Sequence, residues 1–303
     1  MGIVPEMNSP AHTADPNIGD PAEIAELRRI AVYLAETAAA HVRRRRPEVF
    51  GPGRTADESV RTKSTPTDPV TVVDTETEQL IRSLLADTRP GEQVLGEEGG
   101  GSPGAAGDIV WVVDPIDGTV NFVYGIPAYA VSVAAVRGGR SLAGAVVDVA
   151  NATTYSAGLG TGATRTDPAG KSIRLRCNDI DSAQLALVAT GFGYGAARRE
   201  RQGELVARLL PRVRDIRRIG SAALDLCMVA AGRVDAHYEH GLNPWDWAAG
   251  ALIAAEAGAV LRLPAADSTG ALGQLTVAVA PGIAAELTGL FDLLGVSAPI
   301  PEV

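Results

Sequence analysis

One segment of the sequence, Trp111–Phe122, limits the fold more than any other. The apolar run Val110–Val113, which leads into it, is typical of a short buried β-strand, and we expect that strand to stop at Asp114. Pro115 restricts the backbone there, and Asp117 follows one turn later. The segment therefore predicts a sheet in which one strand end presents two carboxylates that converge on one side of a turn.

The residue types in this segment indicate a metal and phosphate site. Mg²⁺ and similar hard cations prefer oxygen ligands, so Asp114 could bridge two ions while the Ile116 carbonyl fills another position. Gly118 and Thr119 begin a new turn or helix, whose free N–H groups can bind an anion. An isolated pair of aspartates three residues apart is more often a turn that only caps a helix, and that reading stays open on the segment alone.

Further acidic groups elsewhere in the chain are candidates for the same site. Gly96-Glu97-Glu98-Gly99 follows a predicted strand and could bind metal and activate water, or it could be a solvated turn. Asp246 begins an alanine-rich helix, where it could cap the helix, face a metal, or do both. Asp74 lies on a predicted helix and, taken alone, reads as a surface acid.

Helical and strand spacings alternate along the chain and predict an α/β fold. Amphipathic helices are expected at 21–46 and at about 72–87, and strands at 128–136, 142–149 and 153–157. The second half predicts strands at 185–190, 213–218 and 234–239 with helices at 198–210, 221–231 and 247–257, the second of them capped by Ser221. Residues 50–69 read as a loop or hairpin, and residues 1–20 as a disordered tail.

Charge and composition exclude several classes of function. The net charge of -9 makes the chain a poor nucleic-acid binder and repels anionic membranes, so an anionic ligand would need bound cations to reach an acidic site. Two cysteines and four histidines give no zinc or disulfide pattern, which indicates thiols in a reducing cytoplasm. No apolar run reaches the length of a membrane span, and no signal peptide is evident.

Other glycine-rich and serine-containing motifs do not support a different chemistry. The segment 158–162 reads as a tight hairpin rather than a dinucleotide loop, and 191–195 as the wall of a pocket. Ser221 lacks the flanking glycines of a nucleophile elbow, so it is interpreted as a helix cap near the substrate.

Taken together, these residues resemble the inositol monophosphatase family, within the lithium-sensitive, magnesium-dependent phosphatase superfamily. The resemblance is strongest to bacterial SuhB-type members, especially actinobacterial ones, and runs from about Arg28 to Gly295. Two family signatures are complete, one at 111–124 and one at 245–259. The resemblance implies a layered αβαβα fold with an N-terminal α+β part at 21–180, a C-terminal α/β part at 181–303, and the active site between them.

The resemblance also implies a role for each matching residue. The first metal would be held by Glu97, Asp114 and the Ile116 carbonyl, the second by Asp114, Asp117 and Asp246, and a weaker third by Glu97 and Asp74. Two to three Mg²⁺ ions are implied. Catalysis would involve Glu97, Thr119 and Asp117, and phosphate would bind the amides of Gly118 and Thr119. Substrate binding is implied for Asp117, Gly220, Ser221, Ala222, Glu239 and Asp246, with Arg217 beside them.

The activity implied is hydrolysis of myo-inositol 1-phosphate by water that the metal site activates. Differences from animal members at Pro244, Trp247 and 191–195 leave the metal chemistry intact but open the choice of substrate. The alternatives are another small monoester (fructose 1,6-bisphosphate, NADP, a nucleotide 3'-phosphate or histidinol phosphate) and a regulatory role on the transcription machinery or RNA. A homodimer, a cytoplasmic location and lithium sensitivity are further expectations from the family.

Overall fold

The computed structural model describes residues 19–51, 60–62, 69–102, 104–105, 107–265 and 267–302. The tail expected at 1–20 therefore lies almost wholly outside the described residues, as does most of the segment 50–69. The described helices are α1 Pro21–Phe50, α2 Val72–Thr88, α3 Thr119–Tyr124, α4 Ala196–Leu209, α5 Ala222–Ala230, α6 Pro244–Glu256 and α7 Ala284–Leu294.

The strands form two large sheets and one short hairpin. The strands are β1 Val60–Thr62, β2 Pro69–Thr71, β3 Gln93–Gly96, β4 Ile109–Asp117, β5 Ala130–Arg137, β6 Arg140–Asp148, β7 Thr153–Gly158, β8 Gly162–Thr166, β9 Ser172–Arg174, β10 Leu187–Thr190, β11 Asp215–Arg217, β12 Ala236–His240, β13 Val260–Arg262 and β14 Leu275–Val279. β1 and β2 pair antiparallel, which agrees with the hairpin reading of the described ends of 50–69.

The first large sheet follows chain order, β3-β4-β5-β6-β7-β8-β9. β3 and β4 are parallel, and the later neighbours are antiparallel. The segment that contains α3 joins β4 to β5, and short turns join the strands from β5 to β9. The second sheet has the order β11-β10-β12-β14-β13, with β10 parallel to both β11 and β12. Parallel strands need helical crossovers, which α4 and α5 provide here.

Helices lie on both faces of each sheet and produce the αβαβα layers that the resemblance implied. α1 and α2 pack on one face of the first sheet, and α6 packs on its other face against β5, β6 and β7. α5 packs on α6 and reaches β10 and β12 of the second sheet. α4 and α7 contact each other and contribute Leu205, Leu209, Leu287 and Phe291 to the same core as that sheet. The hydrophobic core between the two sheets is continuous and marks no division between an N-terminal and a C-terminal part. The boundary at residue 180 therefore stays a prediction.

Small residues let these layers approach closely. A Cβ atom added to Gly144 on β6 would lie 2.9 Å from the Cα atom of Ala249 on α6, and one added to Gly250 would lie 2.9 Å from Leu226 on α5. Only 4% of the residues are aromatic, so this close backbone contact replaces the volume that large side chains would fill.

The first helix is longer than the sequence predicted. It continues from Arg46 through Pro47 to Phe50, although proline removes one helical hydrogen bond. Val49 is 7% exposed and belongs to the core under α1, so packing stabilises the extra turn. Within the described residues, no helix combines the length and the apolar character that crossing a bilayer requires.

Candidate active site

A β-bulge in β4 explains how Asp114 and Asp117 reach the same side of the sheet. In a regular strand, residues three apart face opposite sides. Asp114 pairs with Ser132 and Asp117 with Ala130, so three steps along β4 oppose only two steps along β5. The extra residue cancels the alternation and brings both carboxylates to one face. The prediction that β4 stops at Asp114 was wrong: the strand continues through this bulge to Asp117.

Asp246 completes an acidic cluster with these two residues. One carboxylate oxygen from each of Asp114, Asp117 and Asp246 lies within 4.8 Å of the other two. Asp246 is the third residue of α6 rather than its cap: Asn243 is the N-cap, and the Asn243 N–H donates to Asp246 Oδ2 at 2.7 Å. Capping and facing the cluster therefore coexist in one side chain, which is one of the readings that the sequence left open.

Asp74 is fully buried, so its reading as a surface acid was wrong. It is the third residue of α2 and forms a capping box with Thr71, whose hydroxyl and N–H both donate to Asp74 Oδ2. Its other oxygen accepts a hydrogen bond from the Thr119 hydroxyl at 3.1 Å, and that hydroxyl also lies 3.0 Å from the Ile116 carbonyl. The start of α2 and the start of α3 therefore meet at Thr119.

Glu97 comes from the loop after β3, which contacts the end of β4. Its N–H donates to the Val113 carbonyl at 3.2 Å, which ties the loop to the end of β4. The Glu97 carboxylate is close enough to raise the pKa values of Asp74, Asp117 and Asp246. Of the five acidic residues that the sequence proposed as metal ligands, the structure thus groups Asp114, Asp117 and Asp246, while Glu97 acts on Asp74, Asp117 and Asp246 through its charge.

Burial and the repulsion of neighbouring carboxylates raise the pKa values of Asp74, Asp117 and Asp246. Burial raises the pKa of Asp74 to about 7, opposed by the hydrogen bonds from Thr71 and supported by the charges of Glu97 and Glu98. Burial likewise raises the pKa of Asp117 to about 6, opposed by hydrogen bonds from Ser221 and Ala223. The pKa of Asp246 is raised by burial and then by the charges of Glu97 and Asp117. Such a group of oxygen ligands is suited to a hard divalent cation, which would offset the repulsion.

Gly118 connects this cluster to the opposite wall of the site. It is the N-cap of α3 and has a φ of 95°, a conformation that residues with a side chain rarely adopt. A Cβ atom there would lie 3.0 Å from the carbonyls of both Ala128 and Gly220. Gly118 is therefore required by the close approach of two chain segments as well as by its backbone conformation.

Known proteins match this chain over most of its length. The sequence profile described as the inositol monophosphatase family matches residues 23–292. The inositol-1-monophosphatase SuhB of Mycobacterium tuberculosis is 58% identical over 92% of this chain and 98% of its own. A solved structure of Mycobacterium tuberculosis SuhB covers 89% of this chain and 97% of its own at 54% identity, with a TM-score of 0.76.

This chain belongs to the inositol monophosphatase family.

A third match has a different name. The Nus factor SuhB of Vibrio cholerae is 40% identical over 64% of this chain and 71% of its own. The inositol monophosphatase family is a family of phosphatases, so the membership confirms the class of enzyme and the fold that the two sequence signatures indicated.

In this inositol monophosphatase fold, the residues at 220–223 form the wall that faces Asp117. Ser221 caps α5, as predicted, and its hydroxyl donates to Asp117 Oδ2 at 2.6 Å. The N–H of Ala223 donates to the same oxygen at 2.7 Å. α5, which packs on the second sheet, therefore holds the Asp117 carboxylate of the first sheet in place. Gly220 and Ala222 lie beside this contact.

Glu239 and Gly191 lie further along this wall. A Cβ atom on Gly191 would fall 2.1 Å from Glu239 Oε2, so the glycine-rich segment at 191–195 does contact the predicted substrate residue. Burial raises the pKa of Glu239 to about 8, while the charge of Arg218 opposes this shift and that of Asp117 adds to it.

Arg218 lies along this wall, next in sequence to Arg217, which the sequence analysis placed there. Arg217 is exposed, and its guanidinium donates to Asp215 at 2.6 Å, on its own strand. Arg218 lies against Gly220 and lowers the pKa values of Glu239 and Asp225. The side chains at 217 and 218 diverge, and a one-residue difference of this kind cannot be read from sequence.

Two structural residues of the site were missed by the sequence analysis. Asn121 donates to the carbonyls of Ala128 and Ile219, at 2.7 Å and 2.9 Å, and joins α3 to the wall. Glu78 is buried on α2 and accepts hydrogen bonds from the Glu97 loop. A helical stripe could have identified it, because Asp74, Glu78, Ile81 and Leu85 recur at spacings of three and four.

Proposed function

We propose that this chain is a magnesium-dependent inositol-1-monophosphatase, which hydrolyses myo-inositol 1-phosphate to inositol and phosphate. The observation that carries the proposal is the meeting of Asp114, Asp117 and Asp246 within 4.8 Å, next to the first turn of α3. The name of the Mycobacterium tuberculosis relative supports the choice of substrate.

The acidic residues are suited to hold two to three Mg²⁺ ions. The proposed ligands are the carboxylates of Asp114, Asp117, Asp246 and Glu97 and the carbonyl of Ile116. Asp74 has hydrogen bonds to both of its oxygens, so we propose that it acts on a third, weaker position partly through water. When bound, Mg²⁺ would neutralise phosphoryl oxygens, stabilise the leaving alkoxide and make water a better nucleophile.

The protein's own groups would orient the water and the phosphate. The Thr119 hydroxyl has one proton, which it can give to Asp74 or to the Ile116 carbonyl, leaving its lone pairs for a water molecule. The half-buried Glu97 carboxylate would accept a proton from that water. The N–H groups of Gly118 and Thr119, at the start of α3, lack intrahelical acceptors and would bind phosphate oxygens.

The wall from the second sheet would bind the alcohol part of the substrate. We propose that Glu239 accepts or donates a hydrogen bond to an inositol hydroxyl, with Ser221, Ala222 and Gly220 shaping the pocket and Arg218 at its rim. Asp117 and Asp246 would border the same space. Differences in this wall would determine which monoester is preferred.

A substrate panel tests the proposal. Purified enzyme with Mg²⁺ is given inositol 1-phosphate, fructose 1,6-bisphosphate, NADP, a nucleotide 3'-phosphate and histidinol phosphate, and phosphate release is measured. The highest kcat/KM is expected with inositol 1-phosphate, and a higher value with any other ester would replace the proposed substrate. Omission of Mg²⁺ should abolish release in every case.

A second candidate function is suggested by the relative named Nus factor SuhB. A pull-down with RNA polymerase and elongation factors, repeated with Asp114→Asn, separates this role from catalysis. Binding that survives the substitution would establish a role independent of the metal site. A homodimer, a cytoplasmic location and inhibition by lithium are part of the same proposal and are checked by sedimentation, fractionation and a lithium titration.

A further inference from the structure

The loop that carries Glu97 is held by a buried carboxylate from another element. The N–H groups of Glu98 and Gly99 donate to the two oxygens of Glu78 on α2, each at 2.8 Å. The Glu78 side chain is only 3% exposed. Two backbone donors that meet one buried carboxylate are charge-assisted hydrogen bonds, which are stronger than neutral ones.

Arg82, one turn later on α2, completes this contact. Its Nε donates to Glu78 Oε1 at 2.8 Å, and its Nη2 donates to the Gly100 carbonyl at 2.7 Å. Its Nη1 reaches the Val94 carbonyl on β3 at 3.4 Å. The guanidinium therefore contacts the chain on both sides of the Glu97 loop and neutralises the charge of Glu78.

The glycines on either side of Glu97 and Glu98 match this arrangement. A Cβ atom on Gly96 would lie 2.5 Å from the Glu78 carboxylate, and one on Gly99 would lie 2.6 Å from Glu78 Oε1. Real Cβ atoms do not approach this closely, so a side chain at either position would displace the Glu78 carboxylate from the loop. The two glycines of the Gly-Glu-Glu-Gly pattern thus allow the loop to contact Glu78, while Glu97 between them is a proposed metal ligand.

α2 also carries Asp74, four residues before Glu78 on the same helical face. One helix therefore carries the buried Asp74, which accepts a hydrogen bond from Thr119, and also holds the loop that carries Glu97. Glu78 and Arg82 contact the Glu97 loop rather than the Asp114–Asp117–Asp246 cluster itself. Their contacts act on the position of Glu97 relative to Asp74.

We propose that Glu78 and Arg82 are positioning residues that set the cation affinity of the active site by fixing the Glu97 loop against α2. The inference rests on the proposed function for the role of Glu97. Partners of this kind, one step removed from the ligands, typically change metal affinity or activity by about 10- to 100-fold. Substrate affinity at saturating Mg²⁺ should change little, because the wall from the second sheet is untouched.

Glu78→Gln tests the proposal, with Glu76→Gln as the matched control. The glutamine keeps the shape but presents an amide NH₂ where one loop N–H now donates, and it removes the negative charge that Arg82 pairs with. Glu76 lies on the same helix, but its carboxylate pairs with Arg45 of α1. For Glu78→Gln we expect a Mg²⁺ concentration for half-maximal rate about 10-fold higher or more and a reduced kcat, with KM for the ester within about twofold. Glu76→Gln should match wild type in all three.

A readout without turnover separates this inference from the proposed function. The rise in Tm on adding Mg²⁺, measured by thermal unfolding, should shift to higher Mg²⁺ concentration in Glu78→Gln only. If the wild type binds Mg²⁺ but hydrolyses no ester, the proposed function fails while this comparison still decides the role of Glu78. A folded Glu78→Gln protein with the wild-type Mg²⁺ response would overturn the inference.

Arg82→Lys keeps the test decisive if Glu78→Gln does not fold. Arg82 is 33% exposed, so the substitution is tolerated more easily, yet lysine cannot contact Glu78 and the loop carbonyls together. We expect an intermediate increase, about threefold to tenfold, in the Mg²⁺ requirement. An unchanged Mg²⁺ response in Arg82→Lys would also overturn the inference.

Discussion

Two groups of buried acids lie close together in this protein, and they differ in how their oxygens are satisfied. In the acidic cluster of Asp114, Asp117 and Asp246, Asp117 accepts hydrogen bonds from Ser221 and Ala223, and Asp246 accepts one from Asn243. In the second group, formed by Asp225, His237 and Glu239, the Asp225 oxygens and both His237 nitrogens are buried without a hydrogen-bond partner among the described residues. His237 Nδ1 is 3.6 Å from Asp225, and Nε2 is 4.0 Å from Glu239.

The difference in hydrogen-bond donors indicates which carboxylates are suited to be ionised in the folded protein. N–H and O–H donors aimed at a carboxylate favour its ionised form, whereas burial without donors favours the neutral form. Burial lowers the pKa of His237 to about 3 and raises that of Asp225 well above its usual value. The first group therefore has the donors that favour ionised carboxylates, as the proposed cation ligands require, whereas the second is a neutral polar layer, in which Glu239 lies at the proposed substrate wall.

The largest expected effect comes from a matched substitution in the two groups. Asp114→Asn removes a charge from the proposed ligand set, and kcat/KM for inositol 1-phosphate should fall at least about 100-fold, as on losing one preorganised stabilising group. Asp225→Asn makes the same change in the neutral layer and should retain activity within about fivefold. Steady-state rates over a range of Mg²⁺ concentrations measure both.

The reverse order of effects would contradict the comparison. An Asp225→Asn protein less active than Asp114→Asn would mean that the neutral layer takes part in the reaction directly. Equal Mg²⁺ titrations for Asp114→Asn and wild type would remove Asp114 from the ligand set.

Gly118→Ala tests how closely the two sides of the site must approach. A side chain at a φ of 95° is strained by about 1–3 kcal/mol, and its Cβ would also press on the carbonyls of Ala128 and Gly220. Relief of that contact would separate α3 from the wall, and a shift of the reacting groups by about 1 Å can cost up to about 100-fold. We expect kcat to fall about 10-fold or more and Tm to fall as well.

Gly138→Ala is the control for backbone strain alone. Gly138 also has a positive φ, of 56°, but a Cβ there would meet no atom within 4 Å. It should lower Tm without lowering kcat. A Gly118→Ala protein with wild-type kcat would show that the approach of the two sides is not needed for turnover.

Local patterns were enough to predict much of the site. The apolar strand before Asp114, the Gly118–Thr119 helix start and the acidic start of α6 are each encoded within a few residues, and the structure brings these segments together. The α/β class follows from the alternation of strand and helix spacings, and the αβαβα layers were implied by the family resemblance.

The remaining features depend on contacts that no local pattern contains. The bulge that turns Asp114 and Asp117 to one face is a property of the register between β4 and β5. The burial of Asp74 follows from its contact with Thr119, 45 residues away, and the role of Glu78 from a loop about 20 residues away. Arg217 ends the short edge strand β11 and pairs with Asp215 of that strand, whereas Arg218, the next residue, lies against Gly220.

The smallest expected effect concerns the stability of the neutral layer against pH. Because the pKa of Glu239 is raised from 4.5 to about 8 in the folded state, the folded protein binds this proton more tightly than the unfolded chain does. The ionisation of Glu239 therefore leaves the free energy of unfolding unchanged below pH 4.5. It lowers that free energy increasingly as the pH rises towards 8. Glu239→Gln should abolish this loss, which we expect to be at least about 1 kcal/mol at the upper end.

Glu76→Gln should change the pH dependence of folding stability in the opposite direction to Glu239→Gln. Hydrogen bonding to Arg45 holds the pKa of Glu76 below its usual value of 4.5, so the group stabilises the fold above that pH and the benefit is lost as pH falls through the lowered folded pKa. Urea unfolding in the absence of metal, at several pH values from 4 to 8, measures both variants against wild type. Relative to wild type, Glu239→Gln should gain stability as pH rises, whereas Glu76→Gln should lose it. If Glu239→Gln instead followed the wild-type curve at every pH, Glu239 would be ionised in the fold, and the substrate wall would carry a charge that Arg218 must balance.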